Sequence, residues 1–180
     1  MLGEMAVGEV RPGYELWRPN REKASSITTK AVMVLLLLAT AGLCLLITIG
    51  GLSLLEGGAG MAFACFVYVA LYVIFALMVL RWSRGALPVS AAFSILLLIF
   101  ASVAAPSWFA RDKSGFDTAL LPDTLIGTLL LLMIPLQILV IVVAMIAFNQ
   151  DWHVEEERPI GSGEDYGAQP PGDERSPQPA

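Results

Sequence analysis

The clearest chemical signal in this chain is a proline followed two residues later by a glutamine, inside a long apolar run. Pro135 removes one backbone hydrogen bond and crowds the preceding turn, which predicts a kinked helix. Gln137 is the only carboxamide within the apolar runs, and a carboxamide at that depth needs a hydrogen-bonding partner. This pair is typical either of a contact between packed helices or of a site for a neutral solute in a transporter.

The partners expected for Gln137 are hydroxyl groups on other helices. Thr40 and Thr48 lie eight residues apart, which places them on one helix face, and Ser94 and Tyr68 lie on two further apolar runs. We predict that Gln137 bonds to one or more of these four side chains and thereby fixes the register of the helices. The alternative is that they line a cavity that contacts a solute.

Catalytic and metal-binding chemistry finds no suitable residues. His153 is the only histidine, too few for a bis-histidine haem or a zinc cluster, and Cys44 and Cys65 form no CxxC pair. Phosphate-binding loops, nucleophile elbows and HExxH pairs are missing from the sequence. We therefore expect no catalytic residues, no cofactor site and no metal site, and predict that the protein is not an enzyme.

Four long apolar stretches must position these polar residues. They cover residues 31–55, 61–80, 86–105 and 125–148, and none contains Lys, Arg, Asp, Glu or His. Because about 20 apolar residues in a helix cross a bilayer core of about 30 Å, each stretch is long enough alone. The sequence predicts an all-α fold: an integral membrane bundle of four transmembrane helices over residues 31–148. The lack of charge in the spans argues against proton relays and ion paths.

Two polar segments flank this bundle. Residues 1–30 form a predicted juxtamembrane segment with five bases and four acids, which predicts modest attraction to anionic lipid. Residues 149–180 are acidic and rich in Pro and Gly, and we predict a disordered tail. Neither segment has a basic patch interleaved with aromatic residues, which argues against nucleic-acid binding.

The distribution of basic residues predicts the orientation. With four spans, both tails and the loop near residue 82 share one side, which carries eight bases near span ends against two on the other side. Positive residues favour the cytoplasmic face, so both termini are predicted to be cytoplasmic. The excess of Arg over Lys suggests a bacterial inner membrane as the location.

Three tryptophans near span ends are predicted to act as interface anchors: Trp82, Trp108 and Trp152. The segment 106–124 is predicted to be an outer loop that lies in the interface, held there by Trp108 and Phe109.

Two functions remain from this sequence. The favoured hypothesis is a non-catalytic membrane protein: an accessory, assembly or scaffolding subunit that works in the lipid bilayer with a membrane-protein partner or as a homo-oligomer. The alternative is a small oligomeric transporter or channel for a neutral or weakly polar solute, working around the kink at Pro135 and Gln137.

Overall fold

A computed structural model describes residues 13–54, 58–111 and 119–161 and shows a mostly helical protein. Four of its helices are long and apolar enough to cross a membrane. In chain order the elements are β1 (Tyr14–Trp17), α1 (Pro19–Glu22), α2 (Ala24–Gly51), a 3-10 turn (Leu52–Leu54), α3 (Gly58–Leu80), α4 (Ala86–Ala110), α5 (Asp123–Phe148) and β2 (Glu156–Pro159).

All four long helices extend beyond their predicted spans, α2 and α4 the furthest. Helix α2 begins at Ala24 rather than at residue 31, so Lys30 lies within it, one residue before the apolar run. Helix α4 continues through Pro106 to Ala110 rather than ending at residue 105. Charged and proline residues mark the ends of an apolar run, but they do not stop a helix whose hydrogen bonds are already propagating.

The bundle is built around α2 and α5. Helix α2 packs against both α3 and α5, and α4 packs along α5, whereas α3 and α4 touch less extensively. Between α3 and α4, the ring of Tyr68 lies edge-on to Phe93 and Phe100. The core forms two apolar clusters, one centred on Leu37, Val79, Leu87 and Val140 and the other on Cys44, Ala105, Ile126 and Met133.

The predicted interfacial loop at residue 106 is wrong in its first part. Trp108 and Phe109 belong to α4, and Trp108 is buried. A Cβ built at Gly51 would lie 2.9 Å from Cη2 and Cζ2 of Trp108, and one at Gly127 would lie 3.0 Å from Cε2 of Phe109. The two rings therefore occupy space that only glycine leaves open on α2 and α5. Residues 112–118 lie outside the described part of the chain.

The two flanking segments pair with each other. Strands β1 and β2 form a two-stranded antiparallel sheet in which Tyr14 faces Pro159 and Trp17 faces Glu156. The mostly helical fold therefore carries a small sheet that the sequence did not predict, and the segment predicted as a disordered tail from residue 149 is ordered as far as Gly161. Residues 1–12 and 162–180 are not among those described. We call residues 13–22 together with 149–161 the cap.

Candidate functional site

Gln137 occupies a fully buried position on α5. The buried residues of this helix recur at spacings of three or four, as on one face of an α-helix, and include Met133, Gln137 and Val140. Gln137 has no exposed surface, so its carboxamide points into the bundle. Pro135, by contrast, is exposed on the outer face of a helix that continues through it without a break.

The carboxamide of Gln137 bonds to two other helices. Its Oε1 accepts a hydrogen bond from the hydroxyl of Tyr72 on α3 at 2.9 Å. Its Nε2 donates to Oγ1 of Thr40 on α2 at 3.2 Å and lies 3.1 Å from Sδ of Met133. A reversed carboxamide would turn its oxygen towards the sulfur, which is a weak acceptor, so the contact with Met133 favours this orientation.

Helix α4 is linked to these hydrogen bonds through Ser94. The hydroxyl of Tyr72 lies 3.0 Å from Oγ of Ser94 on α4. Because Tyr72 has a single hydroxyl proton and gives it to Gln137, Ser94 is the donor in this pair. Thr40 in turn donates to the carbonyl of Leu36 at 2.9 Å. The bonds therefore run in one direction, from Ser94 through Tyr72, Gln137 and Thr40 to a backbone oxygen. We call these four side chains the polar layer.

The polar layer has no exposed surface and lies between the two apolar clusters of the core. Thr40, Tyr72, Ser94 and Gln137 are each 0% exposed. A polar group that faced lipid without a partner would cost several kcal/mol, about 4 or more. Each group instead bonds to a neighbour, so the layer can hold the four helices at one relative height.

The predicted site residues fall into three groups. Thr40 and Ser94 belong to the polar layer, Thr40 directly and Ser94 through Tyr72. The hydroxyl of Thr48 donates to the carbonyl of Cys44 on its own helix at 2.7 Å and takes no part. Tyr68 is partly exposed between α3 and α4. Tyr72, one turn further along the same face of α3, makes the hydrogen bond to Gln137 that was predicted for Tyr68.

The chemistry open to the polar layer is limited to hydrogen bonding. Its hydroxyl and carboxamide groups carry no charge near neutral pH and supply no ready proton acceptor. Among the described residues there is no cluster of His, Cys, Asp and Glu that could hold a metal ion. Cys44 and Cys65 are free cysteines on α2 and α3.

A second group of polar contacts holds the cap onto the bundle. Trp152 is fully buried, and its ring lies edge-on to that of Trp82 with the centroids 5.1 Å apart. Its indole Nε1 donates to Oε1 of Gln150 at 3.0 Å, and Nε2 of Gln150 donates to Oγ1 of Thr29 on α2 at 2.9 Å. Arg21 Nε donates to the carbonyl of Trp152 at 2.9 Å. Both flanking segments are thus fixed at one end of the bundle.

Ion pairs join the two halves of the cap and tie the cap to the α3–α4 turn. Arg18 pairs with Glu155, and Arg158 Nε lies 2.7 Å from Oε1 of Glu15. At the turn between α3 and α4, Arg84 Nη2 lies 3.0 Å from Oδ1 of Asp151. These pairs are partly exposed, so each contributes at most about 1 kcal/mol and mainly sets which groups face each other.

The predicted anchors differ in what they present to the surroundings. The rings of Trp108 and Trp152 are buried within the protein, which leaves little of either to lie among lipid headgroups. Trp108 packs against Gly51 and Trp152 packs against Trp82, so these contacts cover the surface that an interface anchor would expose. Trp82 is partly exposed, and an anchoring role for it stays a prediction.

Replacing Gln137 by leucine should destabilise the bundle by about 0.6–1.7 kcal/mol, the range measured for hydrogen bonds between membrane helices. Tyr72 would lose its acceptor and Thr40 the donor that Gln137 supplies, although each keeps one other bond. Thermal unfolding in detergent measures the change, and the double variant with Tyr72→Phe tests coupling. Additive losses from the two changes would show that Gln137 and Tyr72 act independently, contrary to this prediction.

No protein-family model, no curated protein and no solved structure matches this chain, so its function is argued from the polar layer and the cap alone.

Proposed function

We propose that this chain is a non-catalytic polytopic membrane protein: an accessory, assembly or scaffolding subunit that presents its cap to a membrane-protein partner. The single observation that carries the proposal is that the polar layer is internally satisfied. A solute site needs donors or acceptors that are free to meet the solute. Here the carboxamide of Gln137 is fully buried and both of its polar atoms are already bonded.

The cap supports the second half of the proposal. Leu16 on β1 is 50% exposed, and Ile160, directly after β2, is 68% exposed. Both belong to the cap, which is held in place by buried Trp152. Rigid, exposed apolar side chains beside unpaired strand edges are typical of surfaces that bind another protein. Four helices that are long and apolar enough to cross a bilayer support a membrane location for this surface.

Purification of the full chain from its own membranes in mild detergent tests this function. We expect a second protein at fixed stoichiometry, identified by mass spectrometry after crosslinking in the intact membrane. Leu16→Asp on the cap should remove it, whereas Leu120→Asp should not, because Leu120 is exposed near α5 at the opposite end. A closed homo-oligomer that carries a neutral solute into liposomes would contradict the proposal and support a transporter.

The proposed location is a bacterial inner membrane with both termini in the cytoplasm. Its support is the bias of Arg and Lys towards the side of the tails. The pairing of β1 with β2 supports a topology in which both flanking segments lie on one side, as four crossings would place them. A phosphatase that works only outside the cytoplasm, fused after Ala180, should be inactive, and a fluorescent protein fused there should fold. An active phosphatase would reverse this orientation.

A further inference from the structure

Most arginines of the cap and its base have a carboxylate partner. Arg18 pairs with Glu155, and Arg158 with Glu15, while Arg84 in the α3–α4 turn pairs with Asp151. In the ranges that the structure describes, Arg21, Lys30 and Arg81 form no ion pair. Lys23 also forms no ion pair, but it donates a hydrogen bond to Oδ1 of Asn20 at 2.7 Å.

Two of these cations lie over one aromatic ring, and the third comes directly before that ring in the chain. Lys30 Nζ lies 4.0 Å from the centroid of the Trp82 ring, and Arg21 Cζ lies 5.7 Å from the same centroid. Arg81 precedes Trp82 in the chain and is exposed. Trp82 itself has a positive φ of 61°, a conformation that tryptophan seldom adopts. The backbone therefore adopts an unusual conformation at the residue whose ring contacts Lys30 and Arg21.

In the described part of the chain, the positive charge of this cluster is not balanced by a negative group. The ring attracts each cation by about 0.5–1 kcal/mol at a partly exposed site, but it carries no net negative charge. Partial burial, and then the nearby charge of Arg18, lower the pKa of the Arg21 guanidinium, while Glu155 acts in the opposite direction. Glu155 is already engaged by Arg18, so it does not neutralise the cluster. An added anion would relieve the repulsion.

The cluster also lies at a defined depth. Lys30 comes one residue before the apolar run of α2, and Arg81 and Trp82 directly follow Leu80, the last residue of α3. In a membrane these positions fall at the edge of the hydrocarbon core, where lipid phosphates lie and where Lys and Arg side chains extend towards them. Phosphate oxygens accept hydrogen bonds from guanidinium and ammonium groups particularly well.

We propose that Arg21 and Lys30 at the ring of Trp82, together with Arg81 beside it in the chain, form a binding site for the phosphate of one anionic glycerophospholipid. The site rests on the proposed membrane location. It refines the modest general attraction expected from residues 1–30, because the cations that matter come from α1, α2 and the α3–α4 turn together.

Lipid titration of the full chain in a neutral detergent tests the site, with native mass spectrometry as the readout. We expect one phosphatidylglycerol to bind more tightly than phosphatidylcholine with the same acyl chains. The double variant Lys30→Gln, Arg81→Gln should weaken that first binding event by about tenfold to thirtyfold. It leaves intact the bond between Arg21 and the carbonyl of Trp152.

A matched double variant controls for net charge. Lys23→Gln with Arg158→Gln removes two cations from the same end of the protein and should change the affinity by less than about twofold. Lys30→Arg should keep the affinity, and Arg81→Gln alone, at an exposed side chain, tests the site if the double variant does not fold.

Three outcomes would overturn the site. If both double variants weakened phosphatidylglycerol binding equally, the binding would reflect general charge attraction. Equal affinity for phosphatidylglycerol and phosphatidylcholine would show that the lipid binds through the apolar surface alone. Displacement of the lipid by millimolar inorganic phosphate would indicate a site for free phosphate instead. None of these results would affect the membrane location, which is tested separately by extraction.

Discussion

Replacing Trp152 by alanine should open the cap, with a loss of about 3–5 kcal/mol in the free energy that holds it closed. Among the residues that the structure describes, Trp152 is the largest side chain with no exposed surface. Its removal takes away the contact with Trp82 and the hydrogen bond to Gln150, and leaves a cavity next to Trp82. Because the polar layer lies elsewhere, the four helices should stay assembled.

Hydrogen exchange of the full chain in detergent measures this effect at the amides of β1 and β2. Protection of both strands should fall together, since each strand is the only partner of the other in the sheet. Trp152→Phe is the matched control, because it keeps an aromatic ring and loses only part of the contact area. If Trp152→Ala left the strands as protected as in the unchanged protein, the burial of Trp152 would not be what holds the cap.

Adding a single methyl group at Gly51 should destabilise the bundle, although alanine is ordinarily the better helix former. The new Cβ would lie 2.9 Å from two ring atoms of Trp108, closer than carbon atoms approach, and the buried ring has little room to move. Overpacking of this kind costs about 1–3 kcal/mol, and helix propensity returns about 0.5–1 kcal/mol. We expect a net loss of about 1–2 kcal/mol in thermal unfolding.

Gly42→Ala gives the opposite expectation on the same helix. Gly42 is exposed, and a Cβ there would have no atom within 4 Å. This variant should be neutral or more stable by up to about 1 kcal/mol. Equal effects at Gly42 and Gly51 would mean that Trp108 is not packed against α2 as described.

The inward face of each helix was predictable from spacing alone. Residues that recur every three or four positions share a face, and polar residues in an apolar run are expected on the protected face. That reasoning pointed to Gln137, Thr40 and Ser94, which the structure brings into one layer. It also pointed to Thr48, whose hydroxyl instead bonds within its own helix.

The choice between Tyr68 and Tyr72 could not be made from the sequence. The two residues lie one turn apart on α3 and share its face, so spacing does not separate them. Which of them meets Gln137 depends on how far α3 is displaced along its axis relative to α5. That displacement follows from the packing of whole helices, and no local residue pattern encodes it.

The cap was missed for a different reason. Strands β1 and β2 have four residues each and lie about 140 positions apart, so neither carries the alternating pattern of a longer strand. Their pairing becomes favourable only after the bundle has brought both chain segments to one end. The composition of 149–180 predicted disorder because it averages Trp152 and its neighbours with the Pro- and Gly-rich residues that follow.

Washing of membranes with alkaline carbonate tests the central claim most directly, namely that four apolar helices held by a buried polar layer reside in a lipid bilayer. We expect the chain to stay with the membrane pellet and to be released only by detergent. Recovery of the chain in the aqueous supernatant, without any detergent, would contradict it.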